Sequence, residues 1–224
     1  MPVLMSNTNA AIAEEKIYVL GCLDDLKTVI VLFNTTKNVW EPEILKPDIE
    51  LHDERRSFDF LNQRVVMANK MYMREFSQTY VYDPKENIWR PDDMLRSIKL
   101  RSACVIDDML YYYPDDYFYD VKYIKTYDLK RRCLGVVKGL KKLFSRMKKL
   151  QFEHTADYGG NLALFYSKGI NYRRGRDVKC SMEHWCVEIS LERRQGGEIW
   201  GKVEYCGQVL VGHRVVLNCL NVMV

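Results

Sequence analysis

Phe33-Asn34-Thr35-Thr36-Lys37-Asn38-Val39-Trp40 and Tyr82-Asp83-Pro84-Lys85-Glu86-Asn87-Ile88-Trp89 are two copies of one pattern. In each, an aromatic residue ends an apolar run, a polar turn follows, and a Trp arrives seven positions after the aromatic. Tyr127-Asp128-Leu129-Lys130-Arg131-Arg132-Cys133-Leu134 repeats the spacing with Leu134 in place of the Trp. The anchors Phe33, Tyr82 and Tyr127 stand 49 and 45 residues apart. Such a period marks a repeat architecture in which each copy is one supersecondary unit.

Short β-rich runs recur in the same order ahead of each anchor: Lys16-Ile17-Tyr18-Val19-Leu20-Gly21, Lys70-Met71-Tyr72-Met73 and Met109-Leu110-Tyr111-Tyr112-Tyr113. Each follows another alternating run, Asn9 to Ala13, Arg64 to Ala68 and Ser102 to Ile106. Short strands at regular spacing between turn residues indicate an all-β sandwich or propeller, and the fixed period selects the propeller. One blade then consists of an inner strand a, a strand b, a strand c ending at the aromatic-Asp/Asn pair, and an outer strand d carrying the Trp.

These residues resemble the kelch motif, and the chain resembles the plant F-box/kelch-repeat family over nearly its whole length. The positions that carry the likeness are Gly21, Phe33, Trp40, Tyr82, Asp83, Trp89, Tyr127, Asp128, Gly159, Gly160 and Trp200. Kelch strand b normally ends in Gly-Gly; Gly21-Cys22 keeps the first glycine, and the second and third blades keep neither. Val137-Lys138-Gly139-Leu140 and Glu198-Ile199-Trp200-Gly201 are similar to the final blades of that family. The resemblance implies an all-β, partial kelch-type β-propeller of about four blades of four antiparallel strands, at about residues 1–50, 51–98, 99–147 and 148–224. It also implies an F-box that recruits a ubiquitin-ligase adaptor, while the propeller holds the target. Residues 1–16 show no helical apolar period and lead straight into strand b. The F-box and the first blades are therefore expected to be absent, and the ligase adaptor is not an expected partner.

Hydrophobic residues at 47% and charged residues at 29% fit a globular chain. No basic stretch followed by an apolar core opens the sequence, and His213, Arg214 and Asn218 interrupt the apolar run at the C-terminus, so neither a signal peptide nor a membrane span is expected. Seven cysteines without paired CxxC spacing fit reduced thiols in cytoplasm or nucleus.

The net charge of +4 is unevenly placed. Lys138, Lys141, Lys142, Arg146, Lys148 and Lys149 form an acid-free run interleaved with Leu140, Leu143, Phe144, Met147 and Leu150 at helical spacing. A basic amphipathic stretch suits a membrane surface, calmodulin or nucleic acid, but here the run reads as a connection between blades with a solvated face. Arg173, Arg174, Arg176 and Lys179, beside Gly169 and Gly175, read as a long b-to-c loop. Neither cluster carries the aromatic platform that single-stranded nucleic acid needs, so neither nucleic acid nor membrane is an expected partner.

Chemistry of other kinds is poorly provided for. Cys180, His184 and Cys186 fall short of the four ligands of a structural zinc site. His184 and Cys186 in a strand share one face, and His52, His154 and His213 stand alone. Asp115 and Asp116 beside Tyr117, Phe118 and Tyr119 follow Pro114 and read as a turn, as do Asp24-Asp25 and Asp92-Asp93. No serine has a G-x-S-x-G context, and no Gly-rich loop opens a helix. Some kelch propellers are enzymes, among them copper oxidases and the iron-dependent specifier proteins, but the Glu-x-x-x-Asp-x-x-x-His pattern of the latter does not occur. No cofactor and no metal is expected.

A binding module is thus the leading reading. The b-to-c and d-to-a connections of an antiparallel meander emerge on one face. That face would collect Cys22–Lys27, Arg74–Ser77, Pro114–Asp120 and Lys168–Lys179 with the interblade segments near 42–54 and 91–96. Tyr112, Tyr113, Tyr117, Tyr119, Tyr172, Arg173 and Arg174 are the candidate contacts, since Tyr and Arg dominate interface energetics. Edge packing between blades is the competing role for the tyrosines. The alternatives are a kelch-type metalloenzyme or ligand-modifying enzyme, and a truncated gene product without a retained role. The target itself is unspecified, and open propeller edges favour self-association.

Overall fold

A computed structural model describes residues 2–13, 15–23, 27–45, 64–75, 78–93, 95, 98, 100, 103–114, 123–147, 151–174 and 177–212. The fold is all-β and divides into two compact units, Met1–Arg101 and Ser102–Val224.

The first unit holds two four-stranded antiparallel meanders. One is β1 (Ser6–Ala13), β2 (Lys16–Leu23), β3 (Lys27–Asn34) and β4 (Val39–Leu45). The other is β5 (Arg64–Met67), β6 (Lys70–Glu75), β7 (Gln78–Asp83) and β8 (Ile88–Pro91). The quoted repeats form the outer hairpins: Phe33 pairs with Trp40 and Tyr82 with Trp89 across the ladder. Their rings meet at 5.1 Å in both cases. Tyr18, Ile30 and Leu32 from the first meander and Met71, Met73 and Tyr82 from the second form one core, with the Tyr18 ring edge-on to Tyr82 at 5.9 Å. Gly21 is buried in β2. Behind the second meander, buried Thr79 donates from Oγ1 to the Leu95 carbonyl at 3.1 Å. Asp92 accepts the Leu95 N–H at 3.1 Å, which is the turn expected at Asp92-Asp93.

The second unit is one eight-stranded sheet in the order β13-β14-β15-β16-β12-β11-β10-β9. Its strands are β9 (Cys104–Ile106), β10 (Met109–Tyr112), β11 (Lys125–Asp128), β12 (Cys133–Lys138), β13 (Gln151–Tyr158), β14 (Asn161–Arg174), β15 (Asp177–Arg193) and β16 (Ile199–Gly212). Tyr127 pairs with Leu134, so Leu134 occupies the place of Trp40 and Trp89. Trp200 lies on the last outer strand opposite Glu192. Helix α1 (Lys141–Arg146) lies between β12 and β13. The two meanders join where β12 and β16 run parallel, Val137 beside Ile199 and Lys138 beside Trp200. Glycine makes that approach possible. A Cβ on Gly139, whose φ is +88°, would come within 2.6 Å of the Gly201 carbonyl oxygen, and one on Gly201 within 2.9 Å of both Ile189 and Val137.

One expectation changes here. Residues 168–174 and 177–179 are strand, not loop: β14 and β15 stay in antiparallel register as far as Arg174 opposite Asp177. Cross-strand pairing overrides the loop-like glycines and charges. The basic run after Lys138 contains α1, whose Leu143 and Phe144 are buried in the core with Leu140. Its apolar stripe is thus already used for packing.

Candidate functional site

The candidate contacts fall into two groups on different strands of one sheet. Tyr112 and Tyr113 stand at the end of β10, Tyr172, Arg173 and Arg174 at the far end of β14 opposite Lys179, Val178 and Asp177. Tyr117 and Tyr119 lie outside the described residues, with Asp115 and Asp116. Tyr112 is not a surface contact. It is 4% exposed, because β10 is buried along its whole length, and burial pushes its hydroxyl pKa up to about 12. Tyr113 is half-buried and stacks on Phe152 at 4.5 Å with Phe144 6.3 Å away. That is a packing role for this tyrosine.

A second cluster was only half visible in the sequence. His184 Nδ1 lies 3.2 Å from Glu153 Oε2, with side chains 1% and 2% exposed. Ser167, wholly buried, is the register partner of His184 across β14 and β15. Among the described residues His184 Nε2 and Ser167 Oγ have no hydrogen-bond partner. A carboxylate, an imidazole and a hydroxyl in this order match the residue types of nucleophilic catalysis, but complete burial closes them to substrate. They form a polar centre inside the last meander. His154, in the same strand as Glu153, is partly buried, and burial lowers its pKa. Among the described residues no group of three or more His, Cys, Asp and Glu is placed to hold a metal ion, and no helix is long and apolar enough to cross a membrane. His52 and His213 lie outside the described residues.

The recurring turns are the best-defined local features. Asn34, Asp83 and Asp128 accept the backbone N–H of Lys37, Lys85 and Arg131 at 2.9, 3.0 and 3.0 Å. This side-chain-to-backbone closure explains why Asn or Asp follows each aromatic anchor. Gly159 and Gly160, at φ of 60° and 86°, make the tight turn between β13 and β14. They belong to an a-to-b turn, not to the end of a strand b.

Four-stranded meanders with an aromatic–Trp pair closing the outer hairpin define a kelch-type propeller chain. The family model described as "FKB95, Kelch-repeats domain" matches residues 1–210, and the chain belongs to that family. It is 35% identical over 232 residues to F-box/kelch-repeat protein At4g38940 of Arabidopsis thaliana, covering 100% of this chain and 56% of that protein. It is 28% identical over 219 residues to F-box/kelch-repeat protein At4g29370 of the same plant, covering 94% of this chain and 54% of that protein. The chain thus spans about half the length of the curated relatives it matches.

Proposed function

We propose that the chain is a non-catalytic protein-interaction module, the target-holding propeller of an F-box/kelch ubiquitin-ligase receptor. The observation that carries this is the kelch-family match over residues 1–210, together with relatives named F-box/kelch-repeat proteins. The matched span is kelch repeat, so recruitment of the ligase adaptor is assigned to an F-box and not to these residues. The b-to-c and d-to-a connections and the far end of β14 carry the contacts, with Tyr113, Tyr117, Tyr119, Tyr172, Arg173 and Arg174 as the anchors and Tyr112 withdrawn to the core. Neither nucleic acid nor membrane is the partner. Residence in cytoplasm or nucleus is supported by the free thiols of Cys104, Cys133, Cys186 and Cys206. Self-association has support in β16, where Tyr205, Val209, Leu210 and Val211 are each about half exposed.

The test pairs affinity capture from plant extract with calorimetry. The 224-residue chain is expected to retain a reproducible set of proteins and to show no direct affinity for the ligase adaptor. Tyr172→Ser with Arg173→Ser should weaken capture while leaving the melting temperature unchanged. Stoichiometric metal in the purified protein, accompanied by turnover of a small molecule, would replace this reading with the metalloenzyme.

A further inference from the structure

We propose that the exposed face of α1 docks an acidic, extended segment of the partner protein, an inference that rests on the protein-interaction reading above. Residues 138–150 contain six basic side chains and no acid. Lys138 is taken up by Glu198. Lys141, Lys142 and Arg146 are exposed on α1, and no ion pair joins them to an acid among the described residues. A solvated helix face would ordinarily interleave both signs; here three unpaired cations share one turn and a half, each raising the local positive potential felt by the others.

The base that presents them is fixed. Leu140 is 3% exposed, Leu143 8% and Phe144 4%, and all three pack into the core of the second unit. Burial of this stripe decides between classes of partner. A membrane would need those apolar side chains on the outside, and single-stranded nucleic acid would need exposed aromatic rings. What remains outward on α1 is Lys141, Lys142, Ser145 and Arg146, with no apolar side chain. Lys142 and Arg146 are four residues apart on the same helix face, about 6 Å along the axis. Two carboxylates at alternate positions of an extended peptide are separated by about 6.6–7 Å. The cations therefore match a strand with Asp or Glu at every second position, and Lys141 extends the footprint sideways.

Fluorescence anisotropy of the whole chain with a short peptide carrying Glu at alternate positions, and with its Gln counterpart, tests this. The Glu peptide should bind, with an affinity that falls steeply as salt is raised, and the Gln peptide should not. K141E/K142E/R146E should weaken binding roughly tenfold or more; should that chain fail to fold by circular dichroism, K142Q/R146Q is used in its place. Equal affinity for the two peptides, or undiminished binding by the charge variants, overturns the inference. So does tighter binding of single-stranded DNA or phosphatidylserine vesicles through the same cations. The capture experiment separates this from the broader reading. If the charge variant retains the same plant proteins as the parent, the α1 surface is wrong and the interaction module stands. If the parent captures nothing reproducible, the module itself is refuted.

Discussion

The His184 imidazole and the Glu153 carboxylate, 3.2 Å apart, are held out of water together. Each has lost its hydration, and their mutual contact offsets part of that loss. Removing one partner should therefore be far more damaging than removing both. Glu153→Leu should cost about 3 kcal/mol, as breaking a buried polar pair does, whereas Glu153→Leu with His184→Leu should cost much less than the two single changes added together. Urea denaturation of the four proteins measures the coupling, and additive losses would show that the pair is not a unit. This pair also marks a boundary of what the sequence tells. Strand alternation alone would set His184 and Cys186 on one face, but β15 shifts register against β16 between His184 and Trp185. The partner comes from a register shift between Phe152 and His154 in β13, and a bulge re-aims a side chain without leaving a signature in the residues themselves. Glycine is the reverse case. Gly139 and Gly201 were visible as letters, but the contact that requires them exists only once β12 and β16 lie side by side.

Among the elements, the outer hairpins follow most directly from local chemistry. The last turn residue has positive φ in each: 55° at Asn38, 54° at Asn87 and 51° at Arg132. Asn tolerates this left-handed conformation because its short side chain bonds locally, whereas Arg gains nothing from it. Arg132→Asn should thus stabilise the chain by about 0.5–1 kcal/mol, and Asn87→Ala should destabilise it by a similar amount. Chemical denaturation midpoints moving in these opposite directions are the expected result; an unchanged midpoint in both would mean that other contacts set the turn. The inner turns were harder to see. Ala68-Asn69, with φ of 46° and 59°, and Asp107-Asp108, with 51° and 58°, have positive φ without a glycine to announce it. Their two-residue hairpins are fixed by the ladders on either side, Met67 opposite Lys70 and Ile106 opposite Met109. The long β14/β15 hairpin is hidden for the same reason: strand pairing over about thirty residues of chain is a tertiary fact, and Gly169, Gly175 and the arginines look like loop when read one at a time.

At the scale of the whole molecule, two cores among the described residues are drawn from separate stretches of chain. One spans Tyr18 to Tyr82, the other Ile106 to Ile199. In repeat proteins stability is close to a sum of local terms, so units with their own cores open separately when those cores differ in strength. They do differ. The second unit contains strands of 14, 17 and 14 residues in β14, β15 and β16, whereas β5 and β8 in the first have 4 each. The four tryptophans supply a readout, since Trp40 and Trp89 report on the first unit and Trp185 and Trp200 on the second. With Trp185→Phe and Trp200→Phe, urea unfolding followed by fluorescence should give an early transition; with Trp40→Phe and Trp89→Phe, a later one. Tyr82→Ala, which strips the first core of a ring touching both Tyr18 and Trp89, should move the early transition and leave the late one in place. Superimposable curves from the two tryptophan sets, shifted together by Tyr82→Ala, would show instead that the 224 residues unfold as one cooperative body.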